Sequence, residues 1–225
     1  MYYNIKALIL NVSLSKEADK LITAYSSKWG KFYANVPGAK KIVAKLSAAT
    51  EPITESELIV YQGSPYARPT VTGAKILNYN SEVKQDFYRN MLAFYVCEIS
   101  DKFAPLHLPN PKKYDLIART WSLLGTSQTP LRVLTAFSLR LLKLSGYNMV
   151  EYLKRNYSNL KKEDIVYLKK IANCNGDMLD TMEEFQNSDD KVMWNYVESY
   201  ITTYIRQPSV GMFLKKINGD QIVIS

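Results

Sequence analysis

Cysteine and histidine are scarce in this chain of 225 residues, which contains Cys97, Cys174 and the single histidine His107. Two cysteines cannot by themselves build a disulfide framework or a four-ligand zinc site. His107 stands between Pro105 and Pro109, a setting that favours a linker residue over a general base. The sequence therefore predicts neither a metal nor another cofactor.

Long apolar runs and phosphate-binding loops are also missing. The run Ala7–Leu10 is too short for a signal peptide, and no stretch approaches the roughly 18 apolar residues of a membrane-spanning helix. Neither common glycine-rich phosphate loop, GxxxxGK[ST] or GxGxxG, is present. Because nothing in these patterns calls for catalysis, we predict a non-enzymatic cytoplasmic protein without a membrane segment.

Positive charge is present in excess, and it is unevenly distributed. The net charge is +8, with ten Lys and Arg against five Asp and Glu in residues 1–80 and nine against five in residues 81–150. Residues 151–225 contain ten against eleven. A basic excess with interspersed aromatic residues favours a polyanionic partner, most often nucleic acid. The alternative is that the charge serves only solubility.

The first 80 residues contain five short segments with strand character, separated by turn residues. Ser27–Gly30 favours a hairpin turn in which Gly30 takes a positive φ, and Lys41–Ala49 fits either a short helix or an extended loop. Five strands with a longer connection between the third and fourth predict a five-stranded OB-fold barrel, with an SH3-like barrel as the alternative. The predicted strands are Ile5–Leu14, Lys20–Lys28, Lys31–Val36, Ser56–Gln62 and Val71–Tyr79.

After residue 80 the hydrophobic period changes from 2 to 3.6, which predicts helices. The first helix follows Ser81, and the proline-rich segment Ala104–Pro111 predicts a linker. We therefore predict an α+β fold with an OB-fold barrel domain at 1–80 and an all-α helical domain at 81–225. The later predicted helices are Asn110–Leu124, Leu131–Ser145, Lys161–Ala172, Met178–Phe185, Asp190–Ile205 and one after Pro208.

Basic residues interleaved with aromatic residues between the first and fourth strands are the main functional signal. Single-stranded nucleic acid requires such a combination, since ammonium groups contact phosphates and flat rings stack on bases. The alternative is that the rings fill the barrel and the lysines only solvate it. Alternation puts Phe32 and Tyr33 on opposite faces, so at least one of them belongs to the core. The candidate contacts are Lys16, Lys20, Lys28, Lys31, Tyr33, Lys40, Lys41 and Lys45.

Short motifs follow one another in order along nearly the whole chain. They are Ala7-Leu8-Ile9-Leu10, Glu17-Ala18-Asp19, Gly30-Lys31, Gly38-Ala39-Lys40-Lys41, Lys45-Leu46-Ser47, Glu51-Pro52, Asn110-Pro111, Phe137-Ser138-Leu139-Arg140-Leu141-Leu142, Gly146-Tyr147 and Phe213-Leu214. This order resembles the bacterial recombination mediator family RecO. Many members carry a four-cysteine zinc module after the Gly-Tyr motif. Residues 148–173 contain no cysteine, so the chain resembles a zinc-free variant.

The resemblance implies a function. Proteins similar to RecO bind single- and double-stranded DNA through the OB domain and anneal complementary strands. With RecR they promote loading of RecA onto DNA coated by single-stranded-DNA-binding protein, and they use no cofactor. On this basis we expect a nucleoid-associated protein. A generic OB-fold binder of single-stranded nucleic acid and a non-catalytic scaffold are the alternatives.

The resemblance also implies that the helical domain docks the acidic tail of the single-stranded-DNA-binding protein. That tail ends in an apolar residue with a free carboxylate, so its receptor requires an apolar slot rimmed by cations. Arg119 and Arg132 lie on neighbouring predicted helices and are the candidates, with Arg140 in reserve. The alternative is that these arginines are ordinary ion-pair partners on the helix surfaces.

Overall fold

The computed structural model describes residues 1–16, 19–37, 44–157, 161–182, 189–205 and 208. Five strands come first and are followed, apart from one short helix among them, by the helices, which confirms the predicted α+β class. The strands are β1 Tyr2–Lys16, β2 Asp19–Ser26, β3 Gly30–Val36, β4 Thr54–Tyr61 and β5 Thr70–Asn78. The helices are α1 Ala44–Ala49, α2 Ser81–Gln85, α3 Phe87–Phe103, α4 Pro111–Thr126, α5 Pro130–Leu144, α6 Met149–Asn156, α7 Lys162–Asn173 and α8 Asp190–Tyr204, with a 3-10 turn at Gly176–Met178.

The five strands close into a barrel in the order β1-β2-β3-β5-β4. All neighbours are antiparallel except β3 and β5, which run parallel where Asn35 faces Thr70. This is the five-stranded Greek-key arrangement of the OB-fold. Alternating residues fill the interior, which includes Ile9, Phe32 and Val60. Phe32 is fully buried and Tyr33 points outward, as the alternation predicts.

A second core joins the helices to one outer face of the barrel. Leu8, Leu10 and Tyr25 point away from the barrel interior and pack with the buried residues of α3, α4 and α5. The Tyr25 hydroxyl donates to the Asn110 carbonyl at 3.3 Å. At the other side of the junction the Lys84 ammonium donates to Thr54 Oγ1 at 2.8 Å. The barrel and the helical region (residues 81–205) are therefore packed against each other.

The linker, residues 104–110, lies along the barrel at the β2–β3 turn. The His107 N–H donates to the Lys31 carbonyl at 2.9 Å, and Leu106 pairs with Lys31 as an isolated bridge. Gly30 has φ +68, and a Cβ placed there would overlap the backbone of Leu108. Glycine is therefore required at this position both for its conformation and for the close approach of the linker.

Two helix predictions need correction, and one helix was missed. The helix after Ser81 is interrupted at Asp86, because the Asp86 side chain accepts from the Arg89 N–H at 2.9 Å and starts α3 anew. Helix α6 was not predicted, and Asn148 caps it. The predicted helix Met178–Phe185 is instead the end of a 3-10 turn followed by turns up to residue 181, while residues 183–188 and the helix after Pro208 lie outside the described residues.

Candidate nucleic-acid interface

One end of the barrel brings together the start of β1, the β2–β3 turn and the β4–β5 connection. We call it the hairpin end (residues 1–6, 27–29 and 61–69). Tyr2 faces Tyr61 across the β1–β4 pair, and their ring centroids lie 5.1 Å apart. The Tyr3 ring meets the edge of Trp29 at 5.2 Å. Three chain segments that are distant in sequence thus bring aromatic rings to this end of the barrel, with Tyr2 and Tyr61 on the outer wall and Tyr3 and Trp29 at the mouth of the interior.

Several of these rings are open to solvent. Tyr66 is 99% exposed and Tyr2 is 70% exposed, while Tyr61 and Tyr3 are each more than one third exposed. Trp29 is half-buried, since its other side rests on Phe32 at a centroid distance of 5.5 Å. Exposed rings of this kind offer stacking faces to unpaired bases.

Three cations accompany the rings at the hairpin end, and all three are exposed: Lys6, Lys28 and Arg68. None of them forms an ion pair with another residue in the part of the chain that the structure describes. Lys6 and Lys28 line a groove of about 560 Å³ together with Tyr3 and Trp29. Glu57 contributes a carboxylate to the same groove.

The β4–β5 connection is held in shape by Gln62. Its side-chain amide donates to the carbonyl of Ala67 at 2.8 Å and to that of Pro65 at 3.3 Å. The Gln62 N–H donates to the Met1 carbonyl at 2.9 Å. These bonds leave Tyr66 and Arg68 on the outside, so a ring and a guanidinium project from one ordered loop.

The predicted lysines fall into different settings. Lys28 lies at the hairpin end and is exposed. Lys20 is half-buried and donates to Ser47 Oγ at 3.0 Å, near the opposite end of the barrel. Tyr33 is half-buried on the outer face of β3, where it faces Thr23 of β2. Lys40 and Lys41 lie outside the described residues, as do the side chains of Lys16 and Lys45.

The placement of Lys31 argues against its predicted role as an open phosphate contact. Its side chain is 12% exposed, and its ammonium lies 2.6 Å from the Asp101 carbonyl oxygen and 3.0 Å from the Asp101 carboxylate. Because Asp101 belongs to α3, this ion pair joins the barrel to the helical region.

Sequence reasoning missed five residues of the hairpin end: Tyr2, Lys6, Tyr61, Tyr66 and Arg68. Their signal was present, because Lys6 is the polar position within an apolar strand and Tyr66-Ala67-Arg68 sits between two strands. The pairing of β1 with β4 was the missing element, since only that pairing brings the two segments together.

The three candidate arginines of the helical region all contact the segment 171–190. Arg132 is 13% exposed, and it bonds Asp190 at 3.1 Å and the Leu179 carbonyl at 2.9 Å. The Arg140 guanidinium donates to three backbone carbonyls, those of residues 171, 172 and 174, at 2.6–2.9 Å. Arg119 is 53% exposed and pairs with Asp177 at 3.0 Å. These bonds attach α4, which carries Arg119, and α5, which carries Arg132 and Arg140, to the end of α7 and the segment after it.

An apolar cleft of about 520 Å³ lies nearby, between α5, α6 and α7. Leu142, Met149 and Leu168 are among the residues that form its walls. Lys143 and Lys169 are exposed and lie at its edge. None of the three arginines lines this cleft.

The sequence matches models of a known protein family. The family model "Recombination protein O N terminal" matches residues 1–79, and "Recombination protein O C terminal" matches residues 84–150. Together these ranges cover more than half of the chain. The chain belongs to the RecO family. This confirms the resemblance inferred from the order of motifs.

Curated relatives agree with this assignment. The DNA repair protein RecO of Heliobacterium modesticaldum is 32% identical over 145 residues, which cover 64% of this chain and 52% of that protein. The protein of the same name from Dehalococcoides mccartyi is 27% identical over 145 residues, which cover 64% and 56%. That of Listeria monocytogenes is 24% identical over 141 residues, covering 63% and 54%. The chain therefore spans about half the length of the curated relatives it matches.

Two observations on the helices and on metal ligands complete the site. None of the described helices is long and apolar enough to cross a bilayer. Among the described residues, no three His, Cys, Asp or Glu side chains converge as metal ligands would.

Cys97 is buried in the helical core, where desolvation raises the pKa of its thiol. A buried thiol of this kind packs as a small apolar side chain.

Proposed function

We propose that this RecO-family chain acts in DNA repair by binding single-stranded DNA at the hairpin end of its barrel. The observation that carries the proposal is the combination of exposed rings with unpaired cations at one end of the barrel. Tyr2, Tyr61 and Tyr66 offer stacking faces, while Lys28 and Arg68 offer phosphate contacts. Residues 1–80 would serve as the DNA-binding domain, with residues 81–225 as a helical domain.

Membership of the RecO family supports a more specific proposal. We propose that the chain binds double-stranded DNA as well and anneals complementary single strands. Annealing requires cations between two phosphate backbones, and a net charge of +8 provides them. Action with RecR in loading RecA onto coated DNA, and association with the nucleoid, belong to the same proposal.

Stacking can be tested at Tyr66. Each base stacked on an aromatic side chain contributes about 1–3 kcal/mol, so Tyr66→Ala should weaken binding of a short oligonucleotide about fivefold or more. Phe87→Ala is the matched control, because Phe87 is an aromatic residue of the helical region that is also largely open to solvent, at 71% exposed. Fluorescence anisotropy measures both. Equal losses in the two variants would remove the hairpin end from the proposal.

Annealing discriminates between the possible functions. The full chain should accelerate pairing of complementary oligonucleotides, and the acceleration should fall as salt rises. Binding of one strand without annealing would favour a generic OB-fold binder. Absence of any salt-dependent affinity for DNA would favour a scaffold and contradict the proposed function.

The tail of the single-stranded-DNA-binding protein remains a proposed partner, now with a different receptor. The apolar cleft between α5, α6 and α7 supplies leucines and two exposed lysines that form no ion pair within the described residues, whereas Arg132 and Arg140 are occupied by contacts within the chain. Arg119, the most exposed of the three, stays a secondary candidate. An acidic peptide with an apolar last residue fits such a cleft by charge and by burial.

The tail proposal is tested by a peptide titration. Lys169→Glu should weaken binding of the tail peptide, while Lys162→Glu on the same helix should not, because Lys162 does not line the cleft. If the two variants bind equally well, the peptide docks elsewhere. If neither variant nor the wild type binds it, this partner is removed from the account.

A further inference from the structure

A second cleft lies where the barrel, the linker and the helical region meet, and it is distinct from the hairpin groove. Its volume is about 630 Å³. Lys31, Lys102 and Lys113 are among its lining residues, and no Asp or Glu of the described chain lines it. Lys31 is neutralised by Asp101, so Lys102 and Lys113 give the cleft its positive charge.

Lys113 is the most unusual of these residues. It is 5% exposed, and burial lowers the pKa of its ammonium. It donates to the Phe103 carbonyl at 2.9 Å and, within the described residues, it has no carboxylate at ion-pair distance. An ammonium has three donors, so two of them remain for a ligand. A buried cation without a charged partner is costly unless something negative satisfies it.

Aromatic residues line the same cleft. The Tyr147 and Tyr204 rings lie 4.8 Å apart, and Phe103 meets the edge of Tyr147 at 5.2 Å. Tyr204 is about half exposed. Cations and an accessible ring in one cleft are the two elements that hold a nucleotide of a single strand.

The cleft adjoins the hairpin end. Lys31 lines the cleft and follows closely on the β2–β3 turn, whose Lys28 and Trp29 line the hairpin groove. The linker residue Leu106, which also lines the cleft, pairs with Lys31. Trp29 and Lys31 are two positions apart, a span of about 7 Å at most along the chain, so one strand can contact both cavities.

We propose that this cleft binds a backbone phosphate of the same single strand, with Lys102 and Lys113 as the phosphate contacts and Tyr204 as a stacking surface for the adjoining base. The proposal rests on the proposed function and extends its interface from the barrel to the helical region. Lys113 would then have two roles, since it also bonds the last turn of α3.

Oligonucleotide binding across a salt series tests the cleft. Each phosphate contact to a single strand contributes roughly 0.7 to the slope of log K against log salt. Lys102→Gln should lower the magnitude of that slope by about this amount, and the double variant Lys102→Gln/Lys113→Gln by about twice as much. Lys112→Gln is the matched control, because Lys112 is an exposed neighbour on α4 that does not line the cleft.

Two further measurements keep the test decisive if Lys113→Gln does not fold. Lys113→Arg retains the charge and should retain the slope, and ultraviolet crosslinking to a uracil-containing strand should attach Tyr204. Slopes equal to that of Lys112→Gln together with no crosslink at Tyr204 would overturn the cleft. If wild-type protein binds no oligonucleotide, the proposed function itself fails, whereas binding lost only in hairpin-end variants overturns the cleft alone.

Discussion

The cations of the hairpin end and the arginines of the helical region carry the same charge in opposite settings. Lys6, Lys28 and Arg68 are exposed and form no ion pair within the described chain. Arg132 and Arg140 are engaged with carboxylate and carbonyl oxygens. A basic residue therefore indicates a polyanion site only where its charged group is not already bonded to another part of the protein. The number of basic residues in a sequence does not show which of them are bonded in this way.

The difference has a physical origin. A guanidinium presents five donors in a fixed fork, so Arg140 can serve three backbone carbonyls at the end of α7 at once. Lys6 and Lys28 stand on a strand and a tight turn, where the outward direction leads only to solvent. Helix ends leave carbonyls that need donors, and barrel surfaces do not.

The most destabilising substitution should be at Gly30, where the linker packs against the barrel beside the Lys31–Asp101 ion pair. Gly30→Ala combines a positive φ with overlap of the new Cβ and Leu108, so it should lower the free energy of unfolding by about 3 kcal/mol. Urea denaturation measures the change.

Gly146→Ala provides the control for Gly30. Gly146 has φ +85, but the space around its Cβ position is open. This variant should therefore lose only about 1 kcal/mol, the cost of the conformation alone. Equal losses at the two glycines would mean that the linker contact with the barrel contributes nothing.

The next effect separates structure from binding in the helical region. Arg132→Ala removes a largely buried ion pair and should lower the free energy of unfolding by about 2 kcal/mol, with oligonucleotide affinity unchanged. Arg155→Ala, which breaks an exposed pair with Glu151, should cost about 0.4 kcal/mol. A folded Arg132→Ala protein with weaker DNA binding would contradict the contrast drawn above.

The smallest effect is a pH dependence at the start of α5. Burial acts to raise the pKa of Asp180, but hydrogen bonds from Ser127, Thr129 and the Gln128 N–H outweigh it and lower that pKa. A carboxylate with a lowered folded pKa stabilises the protein above its unfolded pKa of about 3.9, and this contribution is lost as the pH falls through the folded value. The stability difference between wild type and Asp180→Asn should therefore be constant above about pH 5 and shrink below about pH 4.

Urea denaturation across pH checks the Asp180 prediction. Asp177→Asn serves as the control for loss of a carboxylate in the same segment, because Asp177 pairs with Arg119 and does not bond the start of α5. If the difference in the free energy of unfolding between wild type and Asp180→Asn does not change between pH 7 and pH 3, the charge of the carboxylate does not contribute to stability.

Local pattern was enough for much of the fold. Alternation along Lys31-Phe32-Tyr33 gave β3 and its buried face, and Asn110-Pro111 gave the start of α4. The break at Asp86 and the short helix α6 were missed because an apolar period does not show where a side chain caps the backbone. Predicting a helix boundary that is set by a capping side chain requires knowing the geometry of the cap.

The candidate site was less accessible from sequence. Lys28 could be selected from its turn, but Lys31 pairs with Asp101 across a separation of 70 residues. Lys6 and Arg68 join the same surface only through the pairing of β1 with β4 and the loop that follows it. Whether a charged side chain forms an ion pair inside the protein depends on residues far away in the chain. Local sequence patterns do not contain that information.

Binding of DNA at the hairpin end can be tested with two triple variants of equal net charge. Lys6, Lys28 and Arg68 are changed together to Gln, and in a second protein the exposed residues Lys112, Lys154 and Lys162 of the helical region are changed in the same way. Net charge is then identical, so a general electrostatic effect is the same in both. The slope of log K against log salt for a single-stranded oligonucleotide should lose about 2 in the first protein and change little in the second. Equal slopes in the two proteins would contradict binding at the hairpin end.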